Sequence, residues 1–219
     1  MFTDEQFEQL EQEERTLTEE AILVMLALLA TIRSDLESAI REFYQKYGKN
    51  GVVTYQEARK WASIKDRRRR LTVLTLLFST KFNNLADELT PAFATFLTKV
   101  VKKESKFFNV DLDIDDILDT PWGVDSTVWL TRLMDDVTLW KLYTMNDLKR
   151  AMLRQDNVED VLDQLDKRFL TMERIVQRLA MTESTAVGSL ARREIFKELG
   201  VKNYRYYARE DERTCEVCG

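Results

Sequence analysis

Asn157-Val-Glu-Asp160-Val-Leu162-Asp-Gln-Leu165-Asp-Lys-Arg-Phe169-Leu-Thr-Met172-Glu-Arg-Ile175-Val176-Gln-Arg-Leu179 is the stretch that decides the fold class. Leu162, Leu165, Phe169, Met172, Ile175, Val176 and Leu179 recur at steps of three and four, which gathers them on one face of an α-helix. Asn157 reads as its N-terminal cap, followed by the acids Glu159 and Asp160 that the positive end of the helix dipole favours. The pattern leads, straight or kinked near Thr182, into Leu190-Ala-Arg-Arg-Glu-Ile-Phe-Lys-Glu-Leu199 and stops at Gly200.

Upstream the same period returns. A first long helix is expected from Thr16 or Thr18, either hydroxyl serving as a cap, to about Tyr47, where Gly48-Lys-Asn-Gly51 accepts the left-handed backbone that ends helices. Thr54 then looks like the cap of a short helix over 55–64. The next helix carries Leu71, Val73, Leu74, Leu76, Leu77 and Phe78, an apolar face too broad for solvent. Ile22, Leu26, Leu29, Leu74, Leu77, Phe78, Phe93 and Phe96 form the expected core of this half. Pro91 suits the first turn of a further helix that frays after Lys106.

Between Phe107 and Asp125 the period is lost to Asp111-Leu-Asp113-Ile-Asp115-Asp116 and Thr120-Pro121-Trp122-Gly123. Helical spacing resumes with Trp129, Leu130, Leu133, Val137 and Trp140, with breaks expected at Met145-Asn146-Asp147 and at Asp156-Asn157. After Gly200, Tyr204-Arg-Tyr-Tyr207 alternates like a strand. The expected fold is mostly α: a helical lobe over 1–110, an acidic linker over 111–125, a second helical lobe over 126–200, and a short β segment with a cysteine tail over 201–219.

Composition agrees with long, rarely broken helices, because 219 residues hold only six glycines and two prolines. A net charge of −5 gives no global attraction to nucleic acid or anionic membrane. The strongest apolar run, Ala21-Ile-Leu-Val-Met-Leu-Ala-Leu-Leu-Ala30, leads through Thr31-Ile32 to Arg33 and falls short of the ~20 residues that cross a bilayer. No stable membrane insertion is expected. The acid-crowded start, with Asp4, Glu5, Glu8, Glu11, Glu13 and Glu14, is the opposite of a signal-peptide n-region.

Three clusters invite a chemical reading. Lys65, Arg67, Arg68, Arg69 and Arg70 form the densest positive patch, suited to DNA phosphates or an acidic protein surface, or else to a solvated helix start paired with local acids. The aspartates from Asp111 to Asp116 alternate like a calcium loop, yet Asp116 stands where the turn needs glycine and Trp122 where a bidentate glutamate belongs, so a solvated acidic linker is expected. Cys215 and Cys218 are the only cysteines, a spacing that supplies two thiolates to a tetrahedral zinc and suits a reducing compartment. With no histidine anywhere, the usual general base and the Ser-His and Cys-His pairs are excluded, and no Gly-rich phosphate loop is present. The chain is not expected to be an enzyme.

Asp211-Glu-Arg213-Thr214-Cys215 with Cys218, the helix end Glu198-Leu-Gly200-Val201, and Met181-Thr182-Glu183 together resemble the phage Mu F-like head-morphogenesis family of minor capsid proteins. The resemblance spans 129–219 in pattern and is sharp over roughly the last forty residues. Members commonly have Arg-Thr-Glu where this chain has Met181-Thr182-Glu183, and they continue past the cysteine pair to a cluster rich in His, Pro and Cys that is missing here. A longer gene product is therefore expected, with zinc held at Cys215 and Cys218 only if residues beyond Gly219 complete the site. The resemblance implies structural roles for Thr182, Glu183, Asp211, Arg213 and Thr214, with Glu183 accepting hydrogen bonds from Arg213 or from hairpin amides. It implies a component of the virion interior, present in the host cytoplasm during assembly, that associates with the portal and other capsid proteins and acts in head assembly or DNA delivery. The other readings are a DNA-binding or scaffolding module built on Lys65 and Arg67–Arg70, and a carrier for an effector domain beyond Gly219.

Overall fold

The computed structural model describes residues 3–48, 52 and 64–202, with the backbone alone at 4, 46–47, 64–84, 149 and 152–153. The short helix expected over 55–64, the strand at 204–207, Asp211, Arg213, Thr214, Cys215 and Cys218 lie outside the described residues. What is described is mostly α, in five helices and without a sheet. They are α1 (Asp4–Tyr47), α2 (Ile64–Phe108), α3 (Ile114–Leu118), α4 (Trp129–Arg154) and α5 (Val158–Glu198).

α1 begins twelve residues earlier than Thr16. Thr3-Asp-Glu-Gln6 is a capping box, in which the Thr3 hydroxyl accepts from the Gln6 N–H at 3.3 Å and the Gln6 side chain accepts from the Thr3 N–H at 2.9 Å. Thr16 and Thr18 sit inside the helix and donate back to the carbonyls of Gln12 and Glu14. The far end falls at Tyr47 as expected, but Gly48 is extended (φ −88°) rather than left-handed. Glycine is required there because a Cβ would lie 2.4 Å from the Tyr44 carbonyl oxygen.

Pro91 lies within α2 instead of opening a new helix. Its ring removes one helical hydrogen bond, at about 3 kcal/mol. Leu89, Phe93, Phe96 and Leu97 are all buried around it, at roughly 1.5–3 kcal/mol each, and that burial keeps the helix whole. α4 likewise runs through 145–147, since Met145, Leu148 and Ala151 are buried and Asp147 is tied to Arg168 at 2.7 Å rather than competing for backbone. α5 starts at the Asn157 cap, whose side chain accepts from Asp160 N–H at 3.0 Å, and runs unbroken past Thr182. Gly200 (φ +67°) then closes it, with Val201 N–H reaching the Phe196 carbonyl at 2.9 Å.

α1 runs antiparallel to α5, as Glu14 meets Arg192 and Arg41 meets Glu159. α2 runs parallel to α5, joining it at Glu104–Arg192 and Phe108–Phe196. α4 returns antiparallel along α5 through Arg132–Glu183, Asp136–Arg178 and Asp147–Arg168. Segment 111–125 holds α3, capped by Asp113, and a turn around Gly123. The core does not divide at that segment: Leu29, Leu36 and Ile40 of α1, Leu89, Phe93 and Leu97 of α2, Leu133 and Trp140 of α4, and Leu165, Phe169 and Val176 of α5 belong to one cluster. Of the expected core, Ile22, Leu29, Phe93 and Phe96 are buried and Leu26 is partly so, while the side chains of Leu74, Leu77 and Phe78 lie outside the described ones. Leu130, counted with Trp129, Leu133, Val137 and Trp140 in the helical spacing, is exposed while those four are buried. No described helix is long and apolar enough to cross a membrane.

Candidate functional site: the Glu183 junction

Val176, Ala180 and Val187 of α5 are buried, and Glu183 falls in phase with them at 1% exposure. An ionised carboxylate at a core position requires donors on both oxygens. They come from outside α5. Trp122 Nε1 donates to Glu183 Oε2 at 2.8 Å, and Arg132 Nη1 donates to Oε1 at 3.2 Å.

The indole is delivered by the connection between α3 and α4. Trp122 N–H donates to the Thr127 carbonyl at 3.2 Å, and the turn inside that bridge uses Gly123 at φ +78°, a conformation that favours glycine. Arg132, in the first turns of α4, binds this loop as well as the acid. Its Nη2 donates to the carbonyls of Trp122 and Thr127 and to Asp125 Oδ1 at 2.8 Å, while Nε donates to Asp125 Oδ2 at 3.1 Å. The guanidinium also lies 4.0 Å over the Trp122 ring, within cation–π range.

Electrostatics reinforce the geometry. The Arg132 hydrogen bond, with Thr127, holds the Asp125 carboxyl well below the usual carboxylate range, and the same bond from Asp125 raises Arg132. Every edge of the guanidinium is engaged. The arrangement therefore fastens the 121–127 loop and α4 to α5, and it presents neither a nucleophile nor a free base.

Beside it lies an open groove of about 660 Å³, floored by Trp122, Ala186 and Leu190 and edged by Met181, Thr182 and Arg193. Thr182 is exposed there and donates to the Arg178 carbonyl at 2.8 Å. Of the residues singled out from sequence, Glu183 and Thr182 are thus placed at the junction. Lys65, Arg67, Arg68, Arg69 and Arg70 fall in the opening turns of α2, with their side chains outside the described ones. The partners expected for Glu183, Arg213 or hairpin amides, lie outside the described residues; among the described ones its partners are Trp122 and Arg132. Sequence reasoning missed both, as well as a second buried acid, Glu104 of α2. The available signal was a glutamate in phase with an apolar stripe: Glu183 between Ala180 and Val187, Glu104 between Val101 and Phe108. No group of three or more His, Cys, Asp or Glu placed for a metal occurs among the described residues.

Compared with models of protein families, with curated proteins and with solved structures, the chain matches none.

Proposed function

We propose that the chain is a minor capsid, head-morphogenesis protein of a tailed bacteriophage, bound to the portal inside the head and acting in head assembly or DNA delivery. The observation that carries this reading is Glu183. It is the acid of the Met181-Thr182-Glu183 motif, and it is the buried anchor of a built junction rather than a surface carboxylate. A motif acid with that role suits a protein whose work is to hold a shape against partners. The long helical body has its ionic side chains at the junction consumed by structural bonds, which favours an assembly component over an enzyme.

Portal and other capsid proteins are the partners this reading names, the virion interior its location, and the host cytoplasm its place during assembly. Zinc enters only if residues beyond Gly219 complete a site with Cys215 and Cys218. A second reading, a DNA-binding or scaffolding module, is favoured by one observation: five basic residues within six positions, at 65 and 67–70, in the opening turns of α2. Quantifying the chain in purified particles of the encoding phage, and its co-purification with the portal protein, is the test. Presence in particles together with portal binding is expected; absence from particles overturns the reading. Duplex DNA binding by the isolated protein that falls steeply with salt, without portal binding, selects the second.

A further inference from the structure

Leu10, Ile22 and Met25 of α1 are buried, and Glu14 and Thr18 fall in phase with them. Glu14 consequently points between α2 and α5, where it meets Glu104 of α2, which is 0% exposed. One cation serves both acids. Arg192 of α5 donates through Nη2 to Glu14 Oε2 at 2.9 Å and through Nε to Glu104 Oε1 at 2.8 Å, and Nη2 also makes an ion pair with Glu104 Oε1 at 2.6 Å. Glu14 Oε1 and Glu104 Oε2 remain, both buried and both without a hydrogen-bond partner among the described residues. Gly188 of α5 borders the pair, and a Cβ there would make ordinary contact, 3.4 Å from Glu14 Oε1 and 3.9 Å from Glu104 Oε1.

Two carboxylates against one guanidinium leave one negative charge and two acceptors with no donor. A proton supplies both deficits at once, because a protonated carboxyl is a donor and is neutral. Of the neighbouring groups, Lys103 of α2 pairs with Glu13 of α1 at 2.9 Å, and on α5 the Ser184 hydroxyl lies 3.4 Å from Thr18 Oγ1.

We propose that Glu14 and Glu104 share a single proton, and that this proton latches the first turns of α1 onto α2 and α5 in acid and lets them go in alkali. Burial first, then the hydrogen bond and charge of Glu104, push the Glu14 carboxyl up to about 8, against the opposing pull of Arg192. The consequence is local because that end is thinly buried. Among the described side chains of 3–13 only Leu10 is buried, beside a partly buried Phe7 that packs on Phe107 and Phe108, whereas inward from Thr18 the helix buries a side chain on every turn. The proton leaves to water along the partly exposed edge of Glu14.

Hydrogen exchange of the full chain, corrected for the intrinsic pH dependence of exchange, tests this between pH 5.5 and 9. Opening then releases one proton, so protection over 4–14 is expected to fall by up to roughly tenfold per pH unit towards pH 8 and to level off above it, while 25–40 stays unchanged. Glu104→Gln, which replaces the second acid by a neutral donor, should flatten that profile. An equal fall in the variant, or a flat profile in the parent, overturns the proposal. Carboxyl carbon shifts of the parent provide a check that needs no variant: one glutamate is expected to titrate near 8, and ordinary values for all overturn it. A profile that moves when sodium is exchanged for potassium or calcium at fixed ionic strength places a metal ion there instead, which also overturns it.

Discussion

Glu183 and Glu104 are buried to the same depth in the same bundle, yet their surroundings differ in kind. Glu183 is met by an indole N–H and a guanidinium, and the second acid on that guanidinium, Asp125, has half its side chain in water. Glu104 is met by a guanidinium whose second acid, Glu14, is itself mostly buried, and no neutral donor arrives. The difference is the loop. Residues 121–127 import Trp122 to the first site, whereas three helices converge on the second and helix backbones have no amides to spare. A helical bundle that buries acids along its stripes must either bring a donor in from a connection or take up a proton.

The largest expected effect breaks the first site. Glu183→Ala leaves Arg132 and the Trp122 indole without their central acceptor, and removing one partner of a buried pair costs about 3–5 kcal/mol. Denaturant unfolding of the variant should show that loss. A change under 1 kcal/mol would mean that the loop, rather than the acid, holds the junction.

The second site should differ in being pH-dependent. Glu14 is raised in the folded chain, so its contribution is fully present below the ordinary glutamate range near 4.5, declines as pH rises, and is gone above about 8. Stability should therefore fall by at most about 1.4 kcal/mol per pH unit across that window. In Glu104→Gln the slope should shrink, since burial still acts on Glu14 while the hydrogen bond and charge of Glu104 are gone, and because glutamine preserves the shape, stability near pH 6 should stay close to that of the parent. An unchanged slope in the variant would assign the titration to another group.

The contrast between these sites was half legible in the sequence. The period of α5, its Asn157 cap and its Gly200 stop follow from local chemistry and stand as read. The start of α1 was misplaced because Thr16 and Thr18 can cap a helix or bond back within one, and the Thr3–Gln6 box decides between them. Pro91 misled because its local cost is outweighed by burial of Phe93 and Leu97, which is a tertiary effect. Glu183 was singled out, but its donors come from 61 and 51 residues away, and no spacing rule reaches that far. Glu14 and Glu104 were hidden among the charged residues of long helices. Only their phase in the apolar stripe separates them from the solvated ones.

A finer change at the first site isolates its imported donor. Trp122→Phe keeps the ring under Arg132 and deletes the N–H to Glu183, which leaves one buried acceptor short, at about 1–3 kcal/mol. Denaturant unfolding of the variant should show a loss of that size. No loss would mean that Arg132 alone satisfies the Glu183 carboxylate, and a loss as large as that of Glu183→Ala would mean that the indole carries the junction.

The smallest effect is expected at Gly188, on the helix face that borders the second site. Alanine in a helix interior is favoured over glycine by roughly 0.5–1 kcal/mol, and the new methyl would make ordinary contacts, 3.4 Å from Glu14 Oε1 and 3.7 Å from Val100 Cγ1. The same methyl takes further water from the carboxyl pair, which favours the protonated form over the ionised one. Gly188→Ala should thus gain less than about 1 kcal/mol near pH 6 and lose that gain by pH 9, as read by denaturant melts at the two values. The two effects separate cleanly, because backbone propensity does not titrate. A gain of equal size at both pH values would show that the methyl never meets the carboxyls. A loss at both would show that the space beside Glu14 Oε1 is needed by something larger than a proton.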